Sequence, residues 1–282
     1  AHVQYMAPGA IPILLLRLLG MRRILTTAHT AADIYPNLKL VHFIQRHCVR
    51  AFTCITETAE RSFFGSSHLY DENYSLKKRN HFTIYNALPA SLPIIQEPRM
   101  ANRPITIGVV SRLESIKGMD LVVPAFAKVK AVHPGVRLLI VGDGTLRGRM
   151  EQQVQTSGIS DSVEFVGRQP QEALPQYYDR IDILLMPSRS EGFGLTAIEG
   201  MARGCVVVAS RVGGLPEVVR DGEVGLLHES ENIDDLASKL IYLCESPKLW
   251  RQCSARAITY VKQFGFDRFS VLFNNLYKRI AE

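Results

Sequence analysis

Short apolar runs alternate with longer segments of mixed polarity between residues 105 and 227. The apolar runs are rich in valine, isoleucine and leucine, which is typical of strands buried on both faces of a parallel sheet. The mixed segments have the length and periodicity of helices. The pattern therefore predicts a doubly wound α/β domain, with strands over 105–110, 137–141, 163–166, 183–186, 206–210 and 224–227 and helices over 119–132, 146–157, 174–178, 196–203 and 215–219.

The first 95 residues show a shorter version of the same alternation, with strands predicted over 3–5, 23–27, 52–55 and 82–85 and helices over 11–19 and 38–50. Four prolines between residues 89 and 104 interrupt regular structure and predict a domain boundary. Helices over 233–244, 248–263 and 266–280 close the chain. We therefore expect an N-terminal Rossmann-like domain over 1–95, a second domain over 104–265, and a last helix, 266–282, that packs back on the first domain.

Composition narrows the classes of function. The net charge of +6 suits an anionic ligand, but no dense Lys/Arg run with interleaved aromatic residues is present, which argues against nucleic acid. The five cysteines have neither Cys-x-x-Cys nor zinc-binding spacing, which predicts reduced thiols, a cytoplasmic location and no metal site. The longest apolar run, 7–16, is shorter than the ~20 residues that a membrane-spanning helix needs.

The segment 187–199 carries the clearest candidate chemistry. Gly192 and Gly194 lie between a predicted strand and helix, where backbone N–H groups and the positive end of the helix favour a phosphate. Glu191 and Glu199 bracket this loop. Because carboxylates accept hydrogen bonds from sugar hydroxyls, we expect Glu199 to bind a ribose and Glu191 a sugar beyond the phosphates. The segment therefore predicts a nucleotide-sugar site.

Other strand ends on the same sheet edge carry basic residues and glycines. Arg112 and Lys117 follow the strand 105–110, where they would clamp a diphosphate or remain two solvated charges on a loop; the neighbouring glycine loop favours the clamp. Gly142 belongs to a Val-Gly-Asp-Gly turn without the full G-x-G-x-x-G pattern, which disfavours a nicotinamide cofactor. Arg168, after the strand 163–166, would stack on a base or cap its own loop.

These motifs together resemble glycosyltransferase family 4 over residues 104–282: Arg112-Leu113 to Lys117-Gly118, Val141-Gly142-Asp143-Gly144, Pro187-Ser188 to Glu191-Gly192-Phe193-Gly194 with Glu199, and Gly213-Gly214-Leu215-Pro216-Glu217. The resemblance implies a GT-B fold, in which two Rossmann-like domains with parallel sheets face each other across a cleft. The first 95 residues resemble only the second half of the family's N-terminal domain, so we expect this domain to be partial.

The resemblance also implies an activity, the retaining transfer of a hexosyl group from a nucleoside diphosphate-sugar to an acceptor, in polysaccharide or glycolipid biosynthesis. It implies that Glu191 contacts the transferred sugar, Glu199 the ribose, and Arg112 and Lys117 the diphosphate. His29 falls where the family places a histidine that reaches the donor sugar. The backbone of the glycine loop would face phosphate: Gly192, Phe193, Gly194, Leu195 and Thr196. No Asp-x-Asp motif is present, so the sequence requires no metal or cofactor.

Two other classes of function remain open. One is a GT-B nucleotide-sugar epimerase, and the other is a non-catalytic protein that binds a nucleotide-sugar without turnover; release of sugar from a donor would argue against the second. The donor base, the donor sugar and the acceptor, whether lipid, polysaccharide or small molecule, also remain open. The segment 11–23, with Arg17, Arg22 and Arg23, would contact an anionic lipid surface at the inner membrane or form a helix packed on the N-terminal sheet.

Overall fold

The computed structural model describes residues 1–4, 11–31, 37–73, 75–99 and 104–282. The chain divides into two compact units, residues 1–87 with 264–282, and residues 88–263. The C-terminal helix therefore belongs to the first unit. Three predicted features extend beyond the described residues: Tyr5 of the first predicted strand, residues 7–10 of the longest apolar run, and residues 100–103 of the proline-rich stretch.

The first unit contains a parallel sheet with the strand order β1-β2-β3-β4. Its strands are His2–Gln4 (β1), Leu25–Ala28 (β2), Ala51–Cys54 (β3) and His81–Thr83 (β4), and its connecting helices are Ile11–Leu18 (α1), Leu38–His47 (α2) and Glu57–Phe64 (α3). Because successive strands are neighbours, right-handed crossovers place the three helices on the same face of the sheet.

Two apolar cores cover the two faces of this sheet. Ile13, Ile44 and Phe63, one from each connecting helix, pack in a core that includes Phe52. The other core receives Phe273, Leu276 and Ile280 of the C-terminal helix, Phe266–Ala281, together with Leu25 and Phe82 of the sheet. The C-terminal helix thus packs within the first unit.

The second unit is a doubly wound α/β domain whose six strands pair in the order β10-β9-β8-β5-β6-β7, all parallel. The predicted alternation of strands and helices is confirmed. The strands are Thr106–Val110 (β5), Arg137–Val141 (β6), Val163–Gly167 (β7), Ile183–Met186 (β8), Val206–Ser210 (β9) and Gly225–His228 (β10). The helices are Met119–Val132 (α4), Arg147–Thr156 (α5), Leu174–Tyr178 (α6), Leu195–Ala202 (α7), Leu215–Val218 (α8), Ile233–Glu245 (α9) and Pro247–Val261 (α10), with the C-terminal helix as α11.

The order of these strands creates a switch point between β5 and β8. From β5 the chain adds β6 and β7 on one side, and from β8 it adds β9 and β10 on the other. Helices that start from neighbouring strands then leave on opposite faces, so a crevice opens at the carboxyl ends of β5 and β8, where ligands of such sheets bind. Arg112 and Lys117 follow β5, and the glycine loop follows β8.

All five cysteines are buried free thiols. In the part of the chain that the structure describes, every helix is too short or too polar to cross a bilayer.

Candidate active site

The loops that follow β5 and β8 are locked together at the switch point. Gly118 has a positive φ of 64°, and a Cβ atom there would lie 1.9 Å from the carbonyl oxygen of Pro187. The Arg189 N–H also donates to the Ile116 carbonyl at 2.9 Å. A residue larger than glycine at position 118 would separate the loops, so this glycine lets Lys117 lie beside the loop that carries Glu191.

Lys117 and Glu191 form an ion pair in this crevice. The Lys117 Nζ lies 2.7 Å from the Glu191 Oε2, with 22% and 16% of the two side chains exposed. Partial burial strengthens such a charge-assisted hydrogen bond. The structure thus joins the lysine predicted for a diphosphate to the carboxylate predicted for a sugar, and an anion that enters here competes with Glu191 for the same ammonium.

A glycine pair after β9 fixes the backbone of Glu191. The Gly214 N–H donates to the Glu191 carbonyl at 3.0 Å. Gly213 has a φ of 52°, and a Cβ atom at this position would lie 2.0 Å from the same carbonyl oxygen. The Gly-Gly-Leu-Pro-Glu motif therefore acts on the site through the position of Glu191.

Gly194 is the N-cap residue of the helix α7, whose first N–H groups point to this crevice. Gly194 has a φ of 99°, and no side chain of the described residues caps the helix. The N–H groups of Leu195 and Thr196 have no hydrogen-bond acceptor among the described residues. Phe193 is 2% exposed and anchors the loop in the core, next to the half-buried Gly192. The start of α7 therefore presents the donors and partial positive charge that suit a phosphate.

Glu199 lies one turn further into α7 and is held by two donors. Its carboxylate, in a side chain only 7% exposed, accepts a 2.6 Å hydrogen bond from the Tyr178 hydroxyl and a 3.1 Å hydrogen bond from the Gln171 Nε2. Burial, and then the nearby Glu199 charge, raise the pKa of Tyr178 well above its usual value, so the hydroxyl remains a donor.

A cavity of about 630 Å³ brings five of the sequence-predicted residues together: Arg112, Gly142, Arg168, Thr196 and Glu199. The side chains of Arg112 and Arg168 are exposed, and neither is paired with a carboxylate within the described residues. Gly142 lets the loops after β5 and β6 touch, because a Cβ atom there would lie 1.8 Å from the Ser111 carbonyl oxygen. Lys117 and Glu191 lie in the neighbouring loops rather than in the lining of this cavity.

Sequence reasoning missed Tyr178, Gln171 and Arg189. The Arg189 guanidinium donates to both Asp120 oxygens at 2.7 and 2.9 Å and to Glu231 at 2.9 Å. The hydrogen bonds from Arg189 hold the pKa of the Asp120 carboxyl below its usual value. Arg189 thus ties the β8 loop to α4. Position in the Pro-Ser-Arg-Ser loop was its only signal in the sequence, and nothing in the helix pattern of 174–178 singles out Tyr178.

His29 lies in the first unit, directly after β2. Its Nε2 is 2.6 Å from the Gln4 Oε1, and the Gln4 amide is 3.1 Å from the Nε2 of His2. Burial lowers the pKa of His29, so the neutral imidazole is favoured. His29 is therefore part of a hydrogen-bonded group at the carboxyl end of the first sheet.

Comparison with known proteins decides the family. Residues 93–260 match the family described as glycosyl transferases group 1. The chain belongs to this family. The matched range contains the β5 loop, the cavity, the glycine loop and Glu199, so the residues of the candidate site lie within the family region, with His29 outside it.

Two relatives show how far the similarity extends. The D-inositol 3-phosphate glycosyltransferase of Segniliparus rotundus is 33% identical over 165 residues, which are 57% of this chain and 37% of that protein. The chain therefore spans well under half of that relative's length. An uncharacterized glycosyltransferase of Methanocaldococcus jannaschii, MJ1178, is 28% identical over 100% of this chain and 75% of its own length.

Solved structures agree on the fold. The Anabaena protein Alr3699/HepE, in a crystal structure with UDP-glucose, aligns with a TM-score of 0.75 over 95% of this chain and 76% of that chain, at 19% identity. The GT-B fold class expected from the sequence is confirmed, with a parallel α/β sheet in each unit.

Proposed function

We propose that this group 1 glycosyltransferase chain transfers a hexosyl group from a nucleoside diphosphate-sugar to an acceptor, with retention of the anomeric configuration, and that its second unit binds the donor. One observation carries the proposal: the Glu199 carboxylate, buried and fixed by Tyr178 and Gln171, lines a cavity whose arginines have no carboxylate partner among the described residues. A fixed carboxylate matches a pair of ribose hydroxyls, and free guanidinium groups match a diphosphate.

The donor would extend from this cavity towards the glycine loop. With the ribose on Glu199, the diphosphate meets Arg112 and the N–H groups of Leu195 and Thr196. These donors and the Lys117 ammonium would stabilise the charge that develops on the leaving diphosphate. The transferred sugar would then lie near Glu191, whose carboxylate accepts hydrogen bonds from sugar hydroxyls once a diphosphate draws Lys117 away.

Several finer points of the proposal rest on resemblance to family 4: the retaining outcome, a role of His29 at the donor sugar, and a product that is a polysaccharide or glycolipid. A donor with uridine as its base is supported by the UDP-glucose in the structure of Alr3699/HepE, a protein with the same fold. The protein groups named above would neutralise the diphosphate, so the proposal requires no metal.

Calorimetric titration of the chain with UDP, GDP and ADP tests the donor site. We expect saturable binding of one nucleotide. Glu199→Ala removes the ribose acceptor and Arg112→Ala a phosphate donor, and each should weaken binding by about tenfold or more, since hydrogen bonds to charged groups contribute about 1.5–3 kcal/mol. Glu223→Ala and Arg251→Ala are matched controls at exposed positions outside the cavity and should bind as the unaltered chain does.

Donor turnover separates the candidate functions. Release of sugar from the matching nucleotide-sugar, lost in Glu191→Gln, would support a transferase. Saturable binding with no release and no transfer to any lipid, polysaccharide or small-molecule acceptor would support a binding protein instead. Binding that is equal in all four variants would contradict the proposed site.

A further inference from the structure

A second large cavity lies entirely in the first unit, at the amino ends of β2, β3 and β4. Its volume is about 640 Å³, and we call it the basic groove. Among the described residues, seven Lys or Arg side chains and no Asp or Glu line it: Arg17, Arg22, Arg46, Arg50, Lys77, Lys78 and Arg79. The groove is therefore at the edge of the first sheet that is opposite to the carboxyl ends of its strands. In the second unit, the candidate donor site lies at the carboxyl ends of the strands of its own sheet.

Carboxylates of the described residues do not neutralise the charges of the basic groove. Within the described residues, none of the seven cations forms an ion pair with a carboxylate. Arg79 donates from Nη2 to the Ser66 hydroxyl at 2.9 Å, and its buried Nη1 has no partner there. Like charges that lie close together in one cavity repel one another. An anion large enough to contact several of these cations would therefore be stabilised in the groove.

Helix dipoles account for only part of this groove. Cations near helix C-termini are favourable, which explains Arg17 in the last turn of α1 and Arg46 in the last turn of α2. The loop before β4 carries Lys77, Lys78 and Arg79, and no helix of the described residues ends in it. The groove therefore gathers positive charge from separate segments beyond what local helix stability explains.

An apolar turn borders the basic groove. Leu18 and Leu19 are 82% and 83% exposed and Met21 is 39% exposed, in the turn that ends α1. They lie between Arg17 and Arg22, both of which line the groove. Two neighbouring leucines with almost all their surface in water are stabilised by any apolar phase that covers them.

We propose that the basic groove and the apolar turn, residues 18–21, together bind the surface of a membrane that contains anionic phospholipids. Lipid phosphates match the cations, and the acyl boundary below them accepts leucine and methionine side chains. Nucleic acid offers the phosphates alone and leaves the leucines in water. A free phosphate would meet only part of a groove of this size. The proposal is independent of the donor site, because all its residues lie in the first unit.

Vesicle flotation tests the proposal with the whole chain. The probes are phosphatidylcholine vesicles and vesicles that contain phosphatidylglycerol as well. We expect binding to the second kind only, weakened by salt. Lys77→Gln with Lys78→Gln should reduce binding roughly 30-fold, from the usual contribution of each cation near an anionic surface. Leu18→Ser with Leu19→Ser should reduce it about tenfold or more, since both leucines then lose an apolar contact.

The control variant removes the same number of positive charges at another place. Lys248→Gln with Arg251→Gln neutralises two exposed cations of α10 and should bind as the unaltered chain does. The four lysine and leucine substitutions lie at exposed positions, so thermal unfolding should be unchanged. Equal binding to both kinds of vesicle, or equal loss in the control, would overturn the proposal. The proposal would also be overturned by two results together: a single-stranded oligonucleotide binds in a way that depends on Lys77 and Lys78, and vesicle binding does not depend on Leu18 and Leu19.

Discussion

The Tyr178 hydroxyl donates a 2.6 Å hydrogen bond to the Glu199 carboxylate, and both side chains are buried. Tyr178 ends α6 and Glu199 lies in α7, so the bond joins the helix that precedes β8 in the chain to the helix that follows it. It fixes the carboxylate at the wall of the cavity before any donor binds. A carboxylate already fixed loses less conformational freedom when it accepts ribose hydroxyls.

The first prediction concerns the loss of this hydrogen bond. Tyr178→Phe leaves the buried Glu199 carboxylate with the hydrogen bond from Gln171, and should lower the free energy of unfolding by about 1.5–3 kcal/mol, the usual contribution of a hydrogen bond to a charged group. Nucleotide binding should weaken several-fold. Urea unfolding and calorimetry measure the two effects. Tyr177→Phe, at the preceding half-buried position, is the control, and an equal effect there would contradict the assignment.

The second prediction concerns the ion pair between Lys117 and Glu191. Glu191→Gln removes the charge that neutralises the Lys117 ammonium, so a nucleoside diphosphate should bind a few-fold more tightly while sugar transfer is lost. Lys117→Gln should weaken nucleotide binding by about tenfold, as the loss of one charge-assisted contact does. Calorimetry and donor turnover are the measurements.

Lys128→Gln serves as the control for Lys117. Lys128 also pairs with a carboxylate, that of Asp234, but on the exposed surface of α4. Its substitution should leave nucleotide binding unchanged. Weaker binding in Glu191→Gln would show that Glu191 does not compete with the nucleotide for Lys117.

The third prediction uses the close contact at Gly213. A Cβ atom there would lie 2.0 Å from the Glu191 carbonyl oxygen, and the φ of 52° disfavours other residues. Gly213→Ala should therefore displace the Glu191 loop, lower stability by about 1–3 kcal/mol and abolish transfer. Gly148→Ala, in the open space around α5, should change stability by less than about 1 kcal/mol, in the stabilising direction. Similar losses in both variants would contradict the steric argument.

The fourth prediction is a pH dependence from His228, which is 1% exposed. Its Nδ1 lies 2.9 Å from the Glu229 carbonyl, and burial lowers its pKa below the usual 6.5. As the pH falls below 6.5, the unfolded chain binds a proton before the folded chain does, so the free energy of unfolding decreases until the lower folded pKa is reached. Above 6.5 this contribution is fully retained.

Urea unfolding at a series of pH values measures this dependence. His228→Gln has no imidazole to protonate, so its free energy of unfolding should fall less steeply as the pH is lowered below 6.5. Curves for the two proteins that run parallel through this range would show that His228 does not contribute.

Much of the fold followed from local pattern. The valine- and leucine-rich runs predicted the six strands of the second unit, because a strand buried on both faces must be apolar throughout. The glycine loop and the basic residues at strand ends were predicted to share one edge, since parallel strands end together. The cavity that collects Arg112, Gly142, Arg168 and Glu199 follows from that arrangement.

By itself, then, the sequence determined the parallel α/β units, the edge of the sheet that carries the candidate site, and the residue types present there, because these depend on periodicity along the chain. The tertiary structure alone decided which side chains meet. Lys117 pairs with Glu191 across 74 positions, and Tyr178 reaches Glu199 across 21. The basic groove is likewise assembled from the ends of two helices and the loops before three strands. Such contacts depend on how loops pack against one another, and no periodic pattern in the sequence records that.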